Sequence, residues 1–258
     1  MRKVVAVSES TEPERESGSR GLSGPAGPAN AAELAQYLPL SQRPRRDETA
    51  VTGNWAKHLG QALIQLADAL GTITDADWTS PSARPGFSVA DVAGFVVWRT
   101  STPRLVRARE RASRALRDRR FPPATQLLIG RERGEAGRVS VESELRSLAV
   151  SALSGRSSRS VADLAVVVLA CYDIGSVAGE AIVIDRVASG AVALARSLSA
   201  PVEIRAVLAS TALVSSDGDW RVGKGQERSG TSSDIVLFLY GRAPLPPALP
   251  SASTPLVE

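Results

Sequence analysis

The stretch SVADLAVVVLACYDIGSV, residues 160–177, decides the fold. Its first four residues, Ser160 to Asp163, have the serine and acid spacing that caps the first turn of a helix. Apolar side chains dominate the rest, so the stretch predicts the most apolar helix of a mainly helical protein. The longest apolar run, 164–172, is too short to span a bilayer. We therefore expect a core helix here and no membrane segment.

Periodic apolar residues predict further helices on both sides of this stretch. The strongest pattern places tryptophan, leucine and alanine side chains on one stripe between Trp55 and Leu70. Ser88-Val89-Ala90-Asp91 repeats the capping pattern at the start of another helix. The predicted helices span residues 55–70, 88–98, 104–120, 141–153 and 182–198. We interpret residues 130–137, which begin and end with glycine, as a loop.

The pattern changes after Pro201. Apolar and charged residues alternate over 202–206, which is typical of a strand, and Asp217-Gly218 predicts a turn before a second strand at 220–222. A last helix is expected at 235–240. We therefore predict a mainly helical protein with a four-helix-type bundle over residues 51–199, followed by a small α/β domain over 200–243. The remaining segments, 1–50 and 244–258, are rich in proline, serine or glycine and are predicted to be disordered.

The composition excludes a histidine-rich metal site, because the 258 residues include one histidine, His58, and one cysteine, Cys171. A single cysteine cannot form an intramolecular disulfide, which fits a reducing cytoplasm. The net charge is +4, and the basic residues are nearly all arginine, as in proteins from GC-rich bacterial genomes. The apolar run near the N-terminus is too short for a secretory signal. We expect a cytoplasmic protein.

Arginine is concentrated in the predicted helix 104–120. Arg104, Arg107, Arg111 and Arg114 share one face of it, so they are candidate anion-binding residues. The structural alternative is a solvated charged face. The segment has no aromatic residues for base stacking, so nucleic acid is the weaker choice of partner.

Two stretches resemble mycothiol-dependent maleylpyruvate isomerases and related DinB-like proteins. The first is Trp78-Thr79-Ser80-Pro81 followed by PGFSVADV at 85–92, which is similar to the entry to that family's second helix. The second is SDGDWRV at 216–222 followed by SDIVLFLYGR at 233–242, which is similar to its small C-terminal domain. The two stretches bracket about 165 residues in the family's order.

This resemblance implies a divalent metal and mycothiol as cofactors, with two histidines and one glutamate as the metal ligands. In this chain the three ligand positions fall on Phe95, Val166 and Ala170, and the family's helical aspartate falls on Asp173. Apolar side chains cannot coordinate Zn²⁺. We therefore predict no metal site and no cofactor, and the resemblance leaves open whether the protein is an enzyme.

Weak candidates for catalysis are Asp173, Tyr172 and Cys171, which lie together in the sequence. A reactive thiolate needs a cationic neighbour or a helix N-terminus, and Cys171 has neither nearby in the sequence, so it is interpreted as a small buried side chain. Asp173 lies within an apolar helix and must find a partner, either an arginine or a group in a pocket. His58 is interpreted as a boundary residue.

Three functions follow from these patterns. The first is a non-metal relative of the isomerases that binds a small ligand or a protein partner on the same scaffold. The second is a thiol-dependent transferase or isomerase with a reshaped site around Asp173. The third is a regulatory protein that binds anions or nucleic acid through the arginine-rich helix.

Overall fold

The computed structural model describes residues 54–118, 122–155, 158–179 and 181–248, without the side chains of residues 114–118 and 122–124. The predictions of disorder for residues 1–50 and for the end of the tail lie outside this part. The helices are α1 (Ala56–Thr72), α2 (Asp75–Thr79), α3 (Val89–Ser101), α4 (Arg104–Asp118), α5 (Pro122–Gly134), α6 (Arg138–Leu153), α7 (Val161–Ala178), α8 (Arg186–Ser199), α9 (Val202–Ser210) and α10 (Ser232–Leu239). The strands are β1 (Thr211–Ser215), β2 (Arg221–Gly223) and β3 (Gln226–Gly230).

The bundle is built around α1, α3, α6 and α7, which pack against one another. Both predicted capping patterns begin a helix: Ser88 accepts from the backbone N–H of Asp91, and Ser160 accepts from that of Asp163. Helix α7 has the length and apolar composition of a membrane span, but 61% of it is buried inside the protein. It is therefore the core helix that its sequence predicts.

Glycines join α3 to α5 at very short range, and this contact corrects one prediction. Residues 130–134 belong to helix α5 and not to a loop. A Cβ on Gly130 would overlap the carbonyl oxygen of Asp91, and a Cβ on Gly134 would lie 2.7 Å from the carbonyl oxygen of Ala90. The glycines therefore allow two helix backbones to touch, so they do not mark a break in the helix.

Two further predictions near the C-terminal unit are wrong. Helix α8 begins at Arg186, and the residues just before it are not helical. Residues 202–206 form the start of helix α9 and not a strand. Its inward side chains are Ile204 and Leu208, four positions apart, so the apolar alternation over five residues was too short to distinguish the two periods. Pro201 directly precedes the helix, where its missing N–H costs nothing.

A three-stranded sheet of order β2-β1-β3 completes the fold. Strand β1 pairs antiparallel with β2 and parallel with β3. Helix α10 follows β3 with a capping box between Thr231 and Asp234 and begins three residues before the predicted start at 235. The helix packs against α8 and α7, so the α/β unit shares the apolar core of the bundle. The predicted mainly helical bundle followed by a small α/β unit is confirmed.

Candidate functional site

A cavity of about 330 Å³ opens beside α7, where the bundle meets the α/β unit. We call it the arginine cavity, because four of the described side chains that line it are arginines and one, Asp173, is an acid. Its lining is Arg84, Val92, Phe95, Val96, Trp98, Arg99, Arg111, Gln126, Val166, Leu169, Ala170, Asp173, Tyr240 and Arg242. It therefore combines an apolar surface with an excess of positive charge.

The three positions that the resemblance assigns to metal ligands all line this cavity. Phe95 comes from α3, and Val166 and Ala170 come from one face of α7, four residues apart. All three side chains are hydrocarbons and offer no lone pair to a metal. No group of three or more His, Cys, Asp or Glu side chains that could hold a metal ion occurs within the described residues. The side chains present do not fit the divalent metal of the family.

Asp173 is buried in the wall of the cavity, with 2% of its side chain exposed. Its Oδ2 accepts a hydrogen bond from Nη1 of Arg242, which follows α10. Its Oδ1 is buried and accepts no hydrogen bond from any residue that the structure describes. Burial raises the pKa of Asp173 more than the neighbouring Arg242 and Arg84 lower it. The expected arginine partner is thus Arg242, which pairs with one of the two carboxylate oxygens.

Arg84 provides a second cation in the wall. Its Nη2 donates to Oε1 of Gln126 at 2.8 Å, and its guanidinium lies 3.7 Å from the centre of the Phe87 ring. Burial and, after it, the positive charge of Arg242 lower the pKa of Arg84 to about 10. Removal from water disfavours this charge, so an anion in the cavity would stabilise it.

Next to the cavity, Asp163 gathers arginines from two helices. Its Oδ1 lies 3.0 Å from Nη2 of Arg99 and 3.4 Å from Nη1 of Arg107, and Ser160 donates to its Oδ2 at 2.7 Å. These partners hold the pKa of Asp163 below its usual value, although burial opposes them. The acid in the first turn of α7 therefore forms ion pairs with two arginines, and the three groups together keep a net positive charge.

The arginine face of α4 is buried at one position and exposed at two others, so only part of it is the solvated face of the structural alternative. Arg107 is 3% exposed, and Arg111 lines the arginine cavity. Arg104 is largely exposed and lies 3.9 Å from Asp163, while the side chain of Arg114 is outside the described part. The apolar Leu105 is 86% exposed. Of the four candidate anion-binding residues, Arg107 is thus buried against the bundle, Arg111 lines the cavity with an exposed side chain, and Arg104 lies on the outer surface.

The three weak catalytic candidates separate in space. Asp173 lines the arginine cavity, whereas Cys171 and Tyr172 line a different pocket that includes Asp217 and Ser232. The Cys171 thiol is fully buried and lies 3.7 Å from the carbonyl oxygen of Ala62, and burial raises its pKa. Burial also raises the pKa of the Tyr172 hydroxyl. The structure does not bring these three side chains into one site.

His58 lies on α1, with a quarter of its side chain exposed. Its Nδ1 is 2.9 Å from Oδ2 of Asp185, but the two groups are not aligned for a hydrogen bond. It is remote from the arginine cavity, whose lining does not include it. This position agrees with the boundary residue that the sequence predicts.

Two of the five charged residues that line the cavity, Arg84 and Arg99, were not candidates in the sequence analysis. Arg84 stands in a loop between a serine-rich stretch and Pro85, where nothing distinguishes it from a solvated arginine. Arg99 lies between two predicted helices, 88–98 and 104–120, where no pattern distinguishes it. Arg242 was part of the quoted resemblance, but its partnership with Asp173 depends on the tertiary fold.

Comparisons with known proteins give limited information. No protein-family model matches the chain, and no curated protein matches it. Among solved structures, the crystal structure of the mycothiol-dependent maleylpyruvate isomerase is similar to it, with 14% sequence identity and a TM-score of 0.41. The match covers 83% of this chain and 98% of the isomerase chain. The relation is distant and concerns the fold, so it says nothing about activity here.

Proposed function

We propose that the protein binds a small organic acid in the arginine cavity and does not perform metal-dependent thiol chemistry. The observation that carries this proposal is the composition of the cavity wall, which has four arginines against the single carboxylate of Asp173. Pairing between Arg242 and Asp173 and between Arg99 and Asp163 leaves Arg84 and Arg111 as the charges for a ligand. The protein would act as a cytoplasmic ligand-binding scaffold.

The apolar part of the wall supports an organic ligand over an inorganic anion. Phe95, Val166 and Ala170 give the wall hydrocarbon side chains at the positions that the resemblance assigns to metal ligands. Trp98 adds an aromatic ring whose centre lies 5.7 Å from the centre of the Phe95 ring. Contact with such a surface stabilises the apolar body of a ligand in proportion to the area removed from water. A volume of about 330 Å³ is at the small end of ligand pockets.

The free oxygen of Asp173 supports a further feature of the ligand. A buried acceptor without a partner costs about 1–3 kcal/mol, and a hydroxyl or amine on the ligand could donate to it. The favoured ligand therefore has a carboxylate, a hydrocarbon body and a hydrogen-bond donor. Hydroxybenzoates are simple probes with all three groups.

The experiment is calorimetric titration with benzoate, with benzamide as the uncharged analogue of the same shape. We expect benzoate to bind at least tenfold more tightly, because a charge-assisted hydrogen bond contributes about 1.5–3 kcal/mol. Arg84→Gln should weaken benzoate binding by about the same factor. The matched control is Arg205→Gln, since Arg205 lies exposed on α9 and outside the cavity lining.

Equal affinities for benzoate and benzamide would contradict the proposal, as would an equal effect of the two arginine substitutions. Because the attraction is electrostatic, raising the salt concentration should weaken benzoate binding. If 4-hydroxybenzoate binds no more tightly than benzoate, Asp173 does not accept a hydrogen bond from the ligand. That result would not affect the proposed binding of the carboxylate by the arginines.

A further inference from the structure

Helix α4 is attached to the protein in an unusual way. Among its side chains that the structure describes, only Arg107 is buried, and no apolar side chain is. Leu105 and Val106, which would normally anchor an amphipathic helix, are 86% and 44% exposed. The burial of apolar surface that stabilises the other helices is thus missing from this part of α4.

Polar contacts hold α4 in place instead. Arg107 donates to the carbonyl oxygen of Arg99 and lies in the ion pair with Asp163. Glu110 accepts a hydrogen bond of 2.6 Å from the indole N–H of Trp98. Two of these partners, Arg99 and Trp98, also line the arginine cavity. The attachment of α4 is therefore part of the cavity wall.

One turn beyond Arg107, Arg111 reaches the cavity itself. Its Nε donates to the carbonyl oxygen of Arg107 at 3.3 Å, and the cations of Arg99 and Arg107 lie nearby. Like charges repel one another, and the single carboxylate of Asp163 offsets only part of the charge of the three arginines, so this cluster opposes the seating of α4 when the cavity has no anion. An anion bound among these groups would convert the repulsion into attraction.

From this arrangement we propose that Arg111 is a specificity-determining residue that contacts the anionic group of the ligand, and that ligand binding seats α4 over the arginine cavity. The inference rests on the proposed binding of an organic acid and adds a moving recognition element to it. A segment held by few buried apolar contacts belongs to the least stable part of a fold, so it can open while the bundle stays folded. Binding and the seating of α4 are then coupled.

The test is hydrogen–deuterium exchange of the full chain, with and without saturating benzoate. In the free protein, amides of α4 should exchange at least tenfold faster than those of α3 and α7. Benzoate should slow the exchange of α4 by more than threefold and leave that of α1 unchanged. Arg111→Gln should weaken benzoate binding about tenfold and abolish this protection. The matched control is Arg109→Gln, an exposed arginine on the same helix that lies outside the cavity lining.

The outcomes separate the two proposals. Benzoate binding without any change in α4 exchange would overturn the role of α4 and leave the proposed function intact. Equal effects of the Arg111 and Arg109 substitutions would overturn the role of Arg111. A lack of benzoate binding would overturn both proposals. Protection of α4 that is lost in Arg111→Gln but kept in Arg109→Gln supports the inference.

Discussion

Asp173 and Arg242 form an ion pair across 69 positions of the chain, with the carboxylate buried and the guanidinium partly exposed. Asp173 lies within α7 at the centre of the bundle, and Arg242 follows α10 at the end of the α/β unit. The pair therefore ties the two parts of the fold together at the wall of the arginine cavity. Its energetics can be tested without knowledge of the ligand.

Removal of Arg242 should leave a carboxylate buried without a cation. We expect Arg242→Met to lower the free energy of unfolding by about 3 kcal/mol at pH 7. Asp173→Asn should cost less, because it leaves no buried negative charge. Urea unfolding at equilibrium measures both values. A larger loss in Asp173→Asn than in Arg242→Met would contradict the assignment of the buried charge to Asp173.

The cost of Arg242→Met should depend on pH. Burial already raises the pKa of Asp173 in the folded protein, so the native state binds more protons than the unfolded state. A raised carboxyl pKa means that this group favours folding fully below the unfolded pKa and loses that contribution as the pH rises through the folded value. The difference in stability between Arg242→Met and the wild type should therefore shrink as the pH falls from 7 to 4. A constant difference across this range would argue against the mechanism.

Asp163 should show the opposite dependence. Its pKa is lowered by Ser160, Arg99 and Arg107, so its contribution to stability is present above the unfolded pKa and lost as the pH falls through the folded value. Asp163→Asn should cost about 3 kcal/mol at neutral pH. The cost should decline in acid, as measured by urea unfolding at a series of pH values. Asp68→Asn, at an exposed ion pair with Arg146, is the control and should change stability by less than about 1 kcal/mol.

The sequence was sufficient for features that depend on neighbouring residues. Ser88 and Ser160 precede α3 and α7 as their capping patterns predict. Apolar residues at helical spacing identified α1 and α6. It was insufficient where a residue's role depends on distant partners. A glycine can either end a helix or let another helix approach closely. For Gly130, only the position of α3 in the folded protein shows that the second role applies. The burial of Arg107 on α4 likewise depends on Asp163, which lies 56 positions from it in the sequence.

The glycine contact between α3 and α5 leads to another prediction. Gly130→Ala should lower the free energy of unfolding by about 3 kcal/mol, because the new methyl group overlaps the backbone of Asp91 in α3. Gly71→Ala is the matched control, since a Cβ there would meet only the side chain of Glu142 at 3.6 Å. It should stabilise α1 by about 0.5–1 kcal/mol through its higher helix propensity. Thermal unfolding of both variants tests the contact, and similar effects would refute it.

The last prediction concerns metal binding at the apolar positions of the cavity. Protein expressed with added zinc and then dialysed should retain close to zero zinc per chain, because Phe95, Val166 and Ala170 cannot act as ligands. Since the three positions line one cavity, the triple variant Phe95→His, Val166→Glu, Ala170→His should gain a site for about one zinc ion.

The matched control for that variant is the double variant Val166→Glu, Ala170→His, which lacks the ligand from α3 and should bind zinc more weakly. The neighbouring cations Arg84 and Arg242 should weaken both sites by repulsion, so Arg84→Gln in the triple variant should raise its affinity. Competition with a chelating dye measures these affinities. Retention of one zinc by the wild type would show that other residues form a site, and failure of the triple variant to exceed the double variant would show that the three positions do not converge.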